Sequence, residues 1–252
     1  MPQNDLPQLD NPAWYSLTGA HARHARGSRD GAAGRALRYD PEVSVWGAVP
    51  DDASGEDWAA LGALLAPDEA ISLPGRALPE GWEGDSGLGL QMVDEAFEPS
   101  ADDGAGLVVL TAADVPEMLA LIERTQPGPF APRTIELGGY LGVRSDGGLV
   151  AMAGRRMNPA GWVEISAVCT DEEHRGHGYA ARLVRAVASG IRESGQRAFL
   201  HVRWDNEGAK RVYDRLGFVV RREFPFSFGR PAAATAAGDV RAGDRTEGGA
   251  AA

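Results

Sequence analysis

One cysteine, Cys169, stands among 252 residues, so no internal disulfide can form and the reducing cytoplasm is the expected compartment. Positive charge is also short. Lys and Arg number 25 against 36 Asp and Glu, for a formal net charge of −11. That balance argues against nucleic acid and anionic membrane as partners. No apolar run reaches the ~20 residues of a membrane span. The opening MPQNDLPQLDNPAW lacks the basic and apolar regions of a secretory signal. What remains is a chain 43% hydrophobic, able to bury a substantial core as one domain or two modest ones.

Its chemistry concentrates in residues 162–218, WVEISAVCTDEEHRGHGYAARLVRAVASGIRESGQRAFLHVRWDNEGAKRVYDRLGF. Residues 162–169 are apolar and β-branched enough for a buried strand, with Glu164 and Ser166 on one face. Polar residues 170–175 close it, and Gly176, His177 and Gly178 open a helix whose Ala181, Val184, Val187 and Ile191 recur near the helical period. Residues 199–202 predict a second strand, and residues 207–215 a helix stopped by Gly217. A small-residue loop at a helix start offers bare amides and partial positive charge, which suit an anion. Arg175, Arg182 and Arg185 lie on this stretch with no acid between His174 and Arg185. In so acidic a chain, that local reversal points to a phosphate-bearing ligand.

Arg175-Gly176-His177-Gly178-Tyr179-Ala180 resembles the Arg/Gln-x-x-Gly-x-Gly/Ala signature of the GNAT superfamily of N-acetyltransferases. Asn206, Tyr213 and Leu216-Gly217-Phe218 resemble that superfamily's closing segment in order and spacing. The likeness covers residues 107–228 well and the leading segment loosely. It implies an α/β fold with a mixed sheet, in which acyl-coenzyme A lies between two splayed central parallel strands. Residue by residue, it implies that the amides of Gly176, His177, Gly178, Tyr179, Ala180 and Ala181 hold the pyrophosphate, with Arg175 beside them as a cofactor-binding residue. Val168, Cys169 and Thr170 would pair with the pantetheine arm as a strand would, Asn206 would bond that arm from the other side, and Tyr213 would face the sulfur. The implied activity is acetyl transfer from acetyl-CoA to a primary amine of a small molecule or peptide by direct attack, without metal. The alternative is an acyl-CoA-binding or structural module of the same fold without catalysis.

Such transfer needs a neutral amine. An amine of pKa about 10.4 is neutral once in several thousand molecules at pH 7, and an α-amine near 7.7 to 8.0 about a tenth of the time. Glu164 and His201 are the two candidate bases. His201 has the better unperturbed pKa, whereas Glu164 would need its pKa raised by burial, or a bridging water. Tyr213 is expected to stabilise developing charge on sulfur rather than donate a proton outright, because a phenol near 10 is a weaker acid than a thiol near 8.5.

Rival readings exist for each feature. Gly176-x-Gly178-x-x-Ala181 also fits a dinucleotide fingerprint, but residues 171–175 separate it from the strand and no acid lies about 20 residues on. Tyr213 and Leu216 have ordinary core spacing. Cys169 reads as a small buried hydrophobe. His174 and His177 lack a third metal ligand.

Ahead of this stretch, residues 1–105 predict a strand and helix module; the resemblance implies a reduced copy of the same half, assigned to packing and substrate gating. His21, Arg23, His24 and Arg26 read as a solvated helix face. Val43, Val45 and Val49 around Trp46 suggest a strand, residues 56–65 a helix, and residues 70–73 and 88–93 short strands. Residues 98–106, EPSADDGAG, look like a linker to the catalytic domain of residues 106–228. There Thr111 caps a helix running to Arg124, and residues 140–143 and 149–153 form a hairpin. The proline-rich residues 126–137 are, by resemblance, the acceptor-side wall, with Phe130, Arg133 and Glu136 as its specificity candidates. Residues 229–252 have almost nothing large and apolar and read as a disordered tail.

Overall fold

A computed structural model describes residues 6–99, 106–145 and 147–232. Among them, β1 (Ala25–Ser28), β2 (Ala36–Tyr39) and β3 (Gly47–Ala48) make a small antiparallel sheet. The large sheet has eight strands: β4 (Ile71–Pro74), β5 (Trp82–Val93), β6 (Val108–Leu110), β7 (Tyr140–Ser145), β8 (Gly148–Arg155), β9 (Trp162–Thr170), β10 (Arg197–Arg203) and β11 (Val219–Pro231). Their order is β4-β11-β5-β10-β9-β8-β7-β6. Six helices accompany them: α1 (Pro7–Asp10), α2 (Pro12–Leu17), α3 (Gly55–Ala63), α4 (Val115–Thr125), α5 (Tyr179–Glu193) and α6 (Glu207–Arg215).

The feature that positions the site is the parallel pair β9 and β10. They are in register only from Trp162 with Arg197 to Ile165 with Leu200. Beyond that point β9 bulges. Ser166 faces Gly154 and Cys169 faces Met152, so Ala167 and Val168 together oppose Ala153, and Ala167 takes φ 53°. A bulge bends its strand and leaves a residue out of the ladder. The two strands therefore part, and the splayed pair implied by the resemblance is present.

Helix α5 lies under this opening because its apolar positions share one face. Leu183, Val184, Val187, Ala188 and Ile191 are all buried in one core with Val163, Ile165, Ala198 and Leu200. Each large aliphatic group so buried contributes roughly 1.5–3 kcal/mol. After α6, Gly217 at φ 85° turns the chain so closely past Ala96 that a Cβ would collide with the Ala96 carbonyl. No helix among the described residues is long and apolar enough to cross a membrane.

Several sequence expectations change. The boundary at residue 105 does not divide the sheet: β5, from the leading segment, sits between β10 and β11 and pairs with both. Local patterning could not reveal this, since it reports that a strand exists and not which neighbour it chooses. Residues 229–231 of the expected tail are strand instead, because β11 pairs with β5 through Pro231 opposite Trp82. Residues 233–252, and residues 100–105 of the expected linker, lie outside the described residues. Only Gly47–Ala48 of the Val43 to Val49 pattern is strand, since Asp40 turns the chain by accepting backbone bonds from Val43 and Ser44.

The basic N-terminal segment is not a solvated helix face. His21 and His24 are buried, the residues from Ala22 to His24 form one 3-10 turn, and His21 Nδ1 shares a 2.9 Å hydrogen bond with the Tyr39 hydroxyl. Burial pushes the His21 pKa down to about 4. Both imidazoles are polar enough to mislead a surface reading and small enough to pack when neutral.

Candidate active site between two diverging strands

Where β9 and β10 separate, a cleft of about 930 Å³ opens. One wall is Ile165 to Thr170, the other His201 to Arg203 with Asn206, Ala209, Val212 and Tyr213, and the mouth is Arg175 to Ala181. Of the candidate residues, Val168, Cys169, Thr170, Arg175, Gly176, Gly178, Tyr179, Ala180, Ala181, His201, Asn206 and Tyr213 line it. Glu164 and His177 do not.

The mouth is made by backbone. Gly176 and Gly178 adopt φ 85° and 77°, and Gly178 is the N-cap of α5 with no side-chain cap. The amides of residues 176–181 donate to no backbone carbonyl among the described residues. Helix starts leave such donors free, and the helix dipole adds positive character. His177 turns away, its Nδ1–H donating to the carbonyls of His174 and Arg175 at 3.1 Å each. Thr170 Oγ1 and His174 Nδ1 are buried on the same cleft with no hydrogen-bond partner among the described residues, so the walls hold unmet polar capacity beside these amides. A 3-10 turn, Glu172–His174, separates β9 from this loop, unlike the direct strand-to-glycine passage of a dinucleotide site.

The deep end is made by side chains. Glu164 is fully buried, and Arg156 grips it with two bonds, Nε to Oε2 at 2.8 Å and Nη2 to Oε1 at 2.6 Å. The backbone N–H of Met157 donates to Oε2 at 3.3 Å, and His201 Nδ1 donates to Oε1 at 2.7 Å. Burial alone would push this carboxyl up; the charge and bonds of Arg156, with those of His201, outweigh it and hold the group at about 2. The raised pKa that Glu164 would need to act as a base unaided is not what this environment gives it. Sequence could not foresee this, because no local pattern ties Arg156 to Glu164 across the turn between β8 and β9.

His201 has 4% of its side chain exposed and is ringed by Phe199, Phe224 and Phe226. Burial pushes its pKa down, more than the neighbouring carboxylate pulls it up. Its second nitrogen, Nε2, lies 3.1 Å from Gln91 Nε2. Both ring nitrogens are thus engaged. Gln91 was the functional neighbour that sequence reading missed, a buried polar residue on a strand from the leading segment.

Tyr213 on α6 is 7% exposed and lines the cleft, and burial pushes its phenol up to about 12. Its hydroxyl has no hydrogen-bond partner among the described residues. Asn206 spends its Oδ1 capping α6 through the amide of Ala209 at 3.0 Å. Cys169 is buried and its thiol is pushed up to about 11 by burial, so it is a poor nucleophile. No group of three or more possible metal ligands occurs among the described residues.

Phe130, Arg133 and Glu136 do not line the cleft. Phe130 packs edge-on against Tyr140 and borders a separate 170 Å³ pocket with Ser44, Val45 and Thr134. Arg133 pairs with Glu136 at 2.6 Å and reaches Glu42 and Asp40. These two charges clamp the 126–137 segment to the front of the molecule.

Comparison with known proteins agrees with this geometry. Residues 140–226 match the model of the FR47-like protein family. No curated protein matches the chain. Among solved structures, an acetyltransferase of the GNAT family from Novosphingobium aromaticivorans is 39% identical, with 91% of this chain and 100% of that one covered and a TM-score of 0.80. A GCN5-related N-acetyltransferase from Kribbella flavida is similar in fold, at 22% identity, 89% and 96% coverage and a TM-score of 0.58. With free amides at the head of α5, a cleft between parting strands and a relative this similar along its whole length, the chain belongs to the GNAT family of N-acetyltransferases, and it is an acyltransferase.

Proposed function

We propose that the protein transfers an acetyl group from acetyl-CoA to a primary amine by direct attack. The observation that carries this reading is the row of amides at residues 176–181 that donate to no backbone carbonyl among the described residues, opening onto a cleft whose inner wall holds Tyr213. Those amides would hold the pyrophosphate, and the bulged edge at Val168, Cys169 and Thr170 would bind the pantetheine arm. Asn206, with Oδ1 committed to its cap, would offer only its amide N–H. When bound, acyl-CoA supplies the activated acyl group. The amine nitrogen forms the new C–N bond, the C–S bond breaks, and the amine's extra proton leaves to water or to the departing thiolate. Tyr213 donates a hydrogen bond to sulfur as negative charge develops. Full proton transfer from a phenol near 12 to a thiolate near 8.5 would run uphill by roughly 5 kcal/mol, so stabilisation is the role assigned to it.

Glu164 and His201 have no free lone pair for the incoming ammonium: two bonds from Arg156, one from Met157 and one from His201 fill the carboxylate, and Gln91 occupies His201 Nε2. The acceptor must therefore arrive neutral. At pH 7 an α-amine should outpace a lysine-like amine of equal fit by about 300-fold in kcat/KM, the ratio of their neutral fractions. A panel of amines assayed for thiol release tests this, and equal rates for both classes would reveal a base. The same occupied lone pairs favour one second reading, an acyl-CoA-binding protein without catalysis. It would bind acetyl-CoA by calorimetry, gain about 2.7 kcal/mol of stability at 100 times Kd, and release no thiol with any amine.

A further inference from the structure

We infer that Gln91, delivered by the leading segment, is a positioning residue that keeps His201 neutral with its proton on Nδ1. Glu164 only accepts, so at 2.7 Å His201 Nδ1 must carry the hydrogen. Across the ring, two nitrogens face each other at 3.1 Å, and one of them must be the acceptor. The amide can be turned only one way. Gln91 Oε1 lies 2.7 Å from Arg221 Nη1, which only donates, and Gln91 Nε2 lies 2.8 Å from the carbonyl oxygen of Leu9, which only accepts. Turned over, the amide would set NH₂ against a guanidinium and oxygen against a carbonyl. Arg221 is in turn held by Asp10 at 2.8 Å. So Gln91 N–H donates to His201 Nε2, and a proton arriving there would meet another N–H inside a shell of three phenylalanines.

The charged and titratable groups around the imidazole come from every adjoining element. β9 gives Glu164, the segment after β8 gives Arg156 behind it, β11 gives Arg221 behind Gln91, and α1 gives Asp10 beyond that. Tyr39 and Tyr140 act electrostatically on the Arg156 and Glu164 pair. Gln91 and the Leu9 carbonyl are the uncharged members that decide which nitrogen holds the proton. The residues before 105 thus reach the His201 imidazole from behind the cleft wall, beyond packing and gating.

The tautomer stands on geometry alone; its effect on turnover rests on the acyltransferase reading. Nitrogen-15 NMR of the five histidines in the full-length protein, with His201→Gln to assign the signal, reads the tautomer without any substrate. Wild type should show His201 protonated at Nδ1 and resistant to acid. In Gln91→Glu a carboxylate faces Nε2 while still accepting from Arg221, so the His201 titration midpoint should shift upward. In Gln91→Leu, which only removes the opposing donor, the shift should be upward and smaller. An Nε2–H tautomer in wild type overturns the inference even if neither variant folds, and so does an unmoved midpoint in Gln91→Glu. If no amine releases thiol from wild type, the acyltransferase reading fails while the nitrogen spectra still decide this one.

Discussion

The two ends of the cleft are built on opposite plans. The mouth, Arg175 to Ala181, offers the six consecutive amides of residues 176–181, two of them from glycines, held by one helix start and lined by exposed or half-exposed residues. The deep end is Arg156, Glu164, His201 and Gln91, from four separated segments, each locked to the next by hydrogen bonds in a buried space. A binding surface made of backbone can be reshaped by a single residue without disturbing the core. A surface made of buried charges cannot lose one member without exposing the rest to desolvation.

The largest effect should come from the deep end. Arg156→Met leaves Glu164 buried with only His201 and one backbone amide for company, and removes the guanidinium stacked 4.9 Å above the Trp46 ring. Breaking a buried pair in this way costs about 3–5 kcal/mol. Denaturant unfolding should show that loss, and the double variant Arg156→Met with Glu164→Leu should recover much of it. A loss under 1 kcal/mol would mean the pair is solvated, and the contrast between the two ends would disappear.

Acid should dismantle the buried side next. The folded pKa of His21 is depressed from 6.5 to about 4 by burial, so its contribution is present above pH 6.5 and is lost as pH falls toward 4. The loss across that window is roughly 3 kcal/mol. Glu164 follows the same sign further down, its contribution being lost between about 4.5 and 2. Melting temperature should therefore decline below pH 6.5, and His21→Phe should flatten the decline between 6.5 and 4. An unchanged slope in that variant would show that His21 is solvated and charged before unfolding.

This division also explains what the sequence disclosed. The mouth was legible because glycines, a strand end and a helix start are contiguous, and contiguity is what a linear reading sees. The order of α6 and its Gly217 stop was legible for the same reason. Glu164 and His201 could be nominated as polar residues on strands, but not understood: their states depend on Arg156, eight residues before one of them, and on Gln91, 110 residues before the other. β11 and the insertion of β5 beside β10 escaped for a related reason, since pairing partners are set by tertiary packing.

Tyr213 tests the boundary between the two plans. Its hydroxyl lacks a partner among the described residues, so Tyr213→Phe should leave stability and acyl-CoA affinity near wild type. A hydrogen bond to developing charge contributes about 1.5–3 kcal/mol, which predicts a fall in turnover of roughly 10- to 100-fold. Full activity in the variant would return Tyr213 to the core, where its contact with Phe218 at 6.3 Å already places one face.

The smallest effect should come from the mouth itself. A Cβ on Gly178 meets nothing within 4 Å, so Gly178→Ala suffers no collision and only the cost of φ 77°, about 1–2 kcal/mol for an alanine. Alanine can relieve that strain by rotating toward negative φ, which re-aims the amides of residues 178–180 away from a shared ligand. Acyl-CoA affinity measured by calorimetry should weaken about 5- to 10-fold, equivalent to 1.0–1.4 kcal/mol, while the acid dependence set by His21 stays as in wild type. Gly217→Ala is the control, because it combines a similar φ of 85° with a collision against the Ala96 carbonyl, and it should lose more stability than Gly178→Ala while sparing the amides of the mouth. If Gly178→Ala binds acyl-CoA as tightly as wild type, the amides of residues 176–181 are not what holds the ligand, and the comparison between a backbone end and a side-chain end fails at its backbone half.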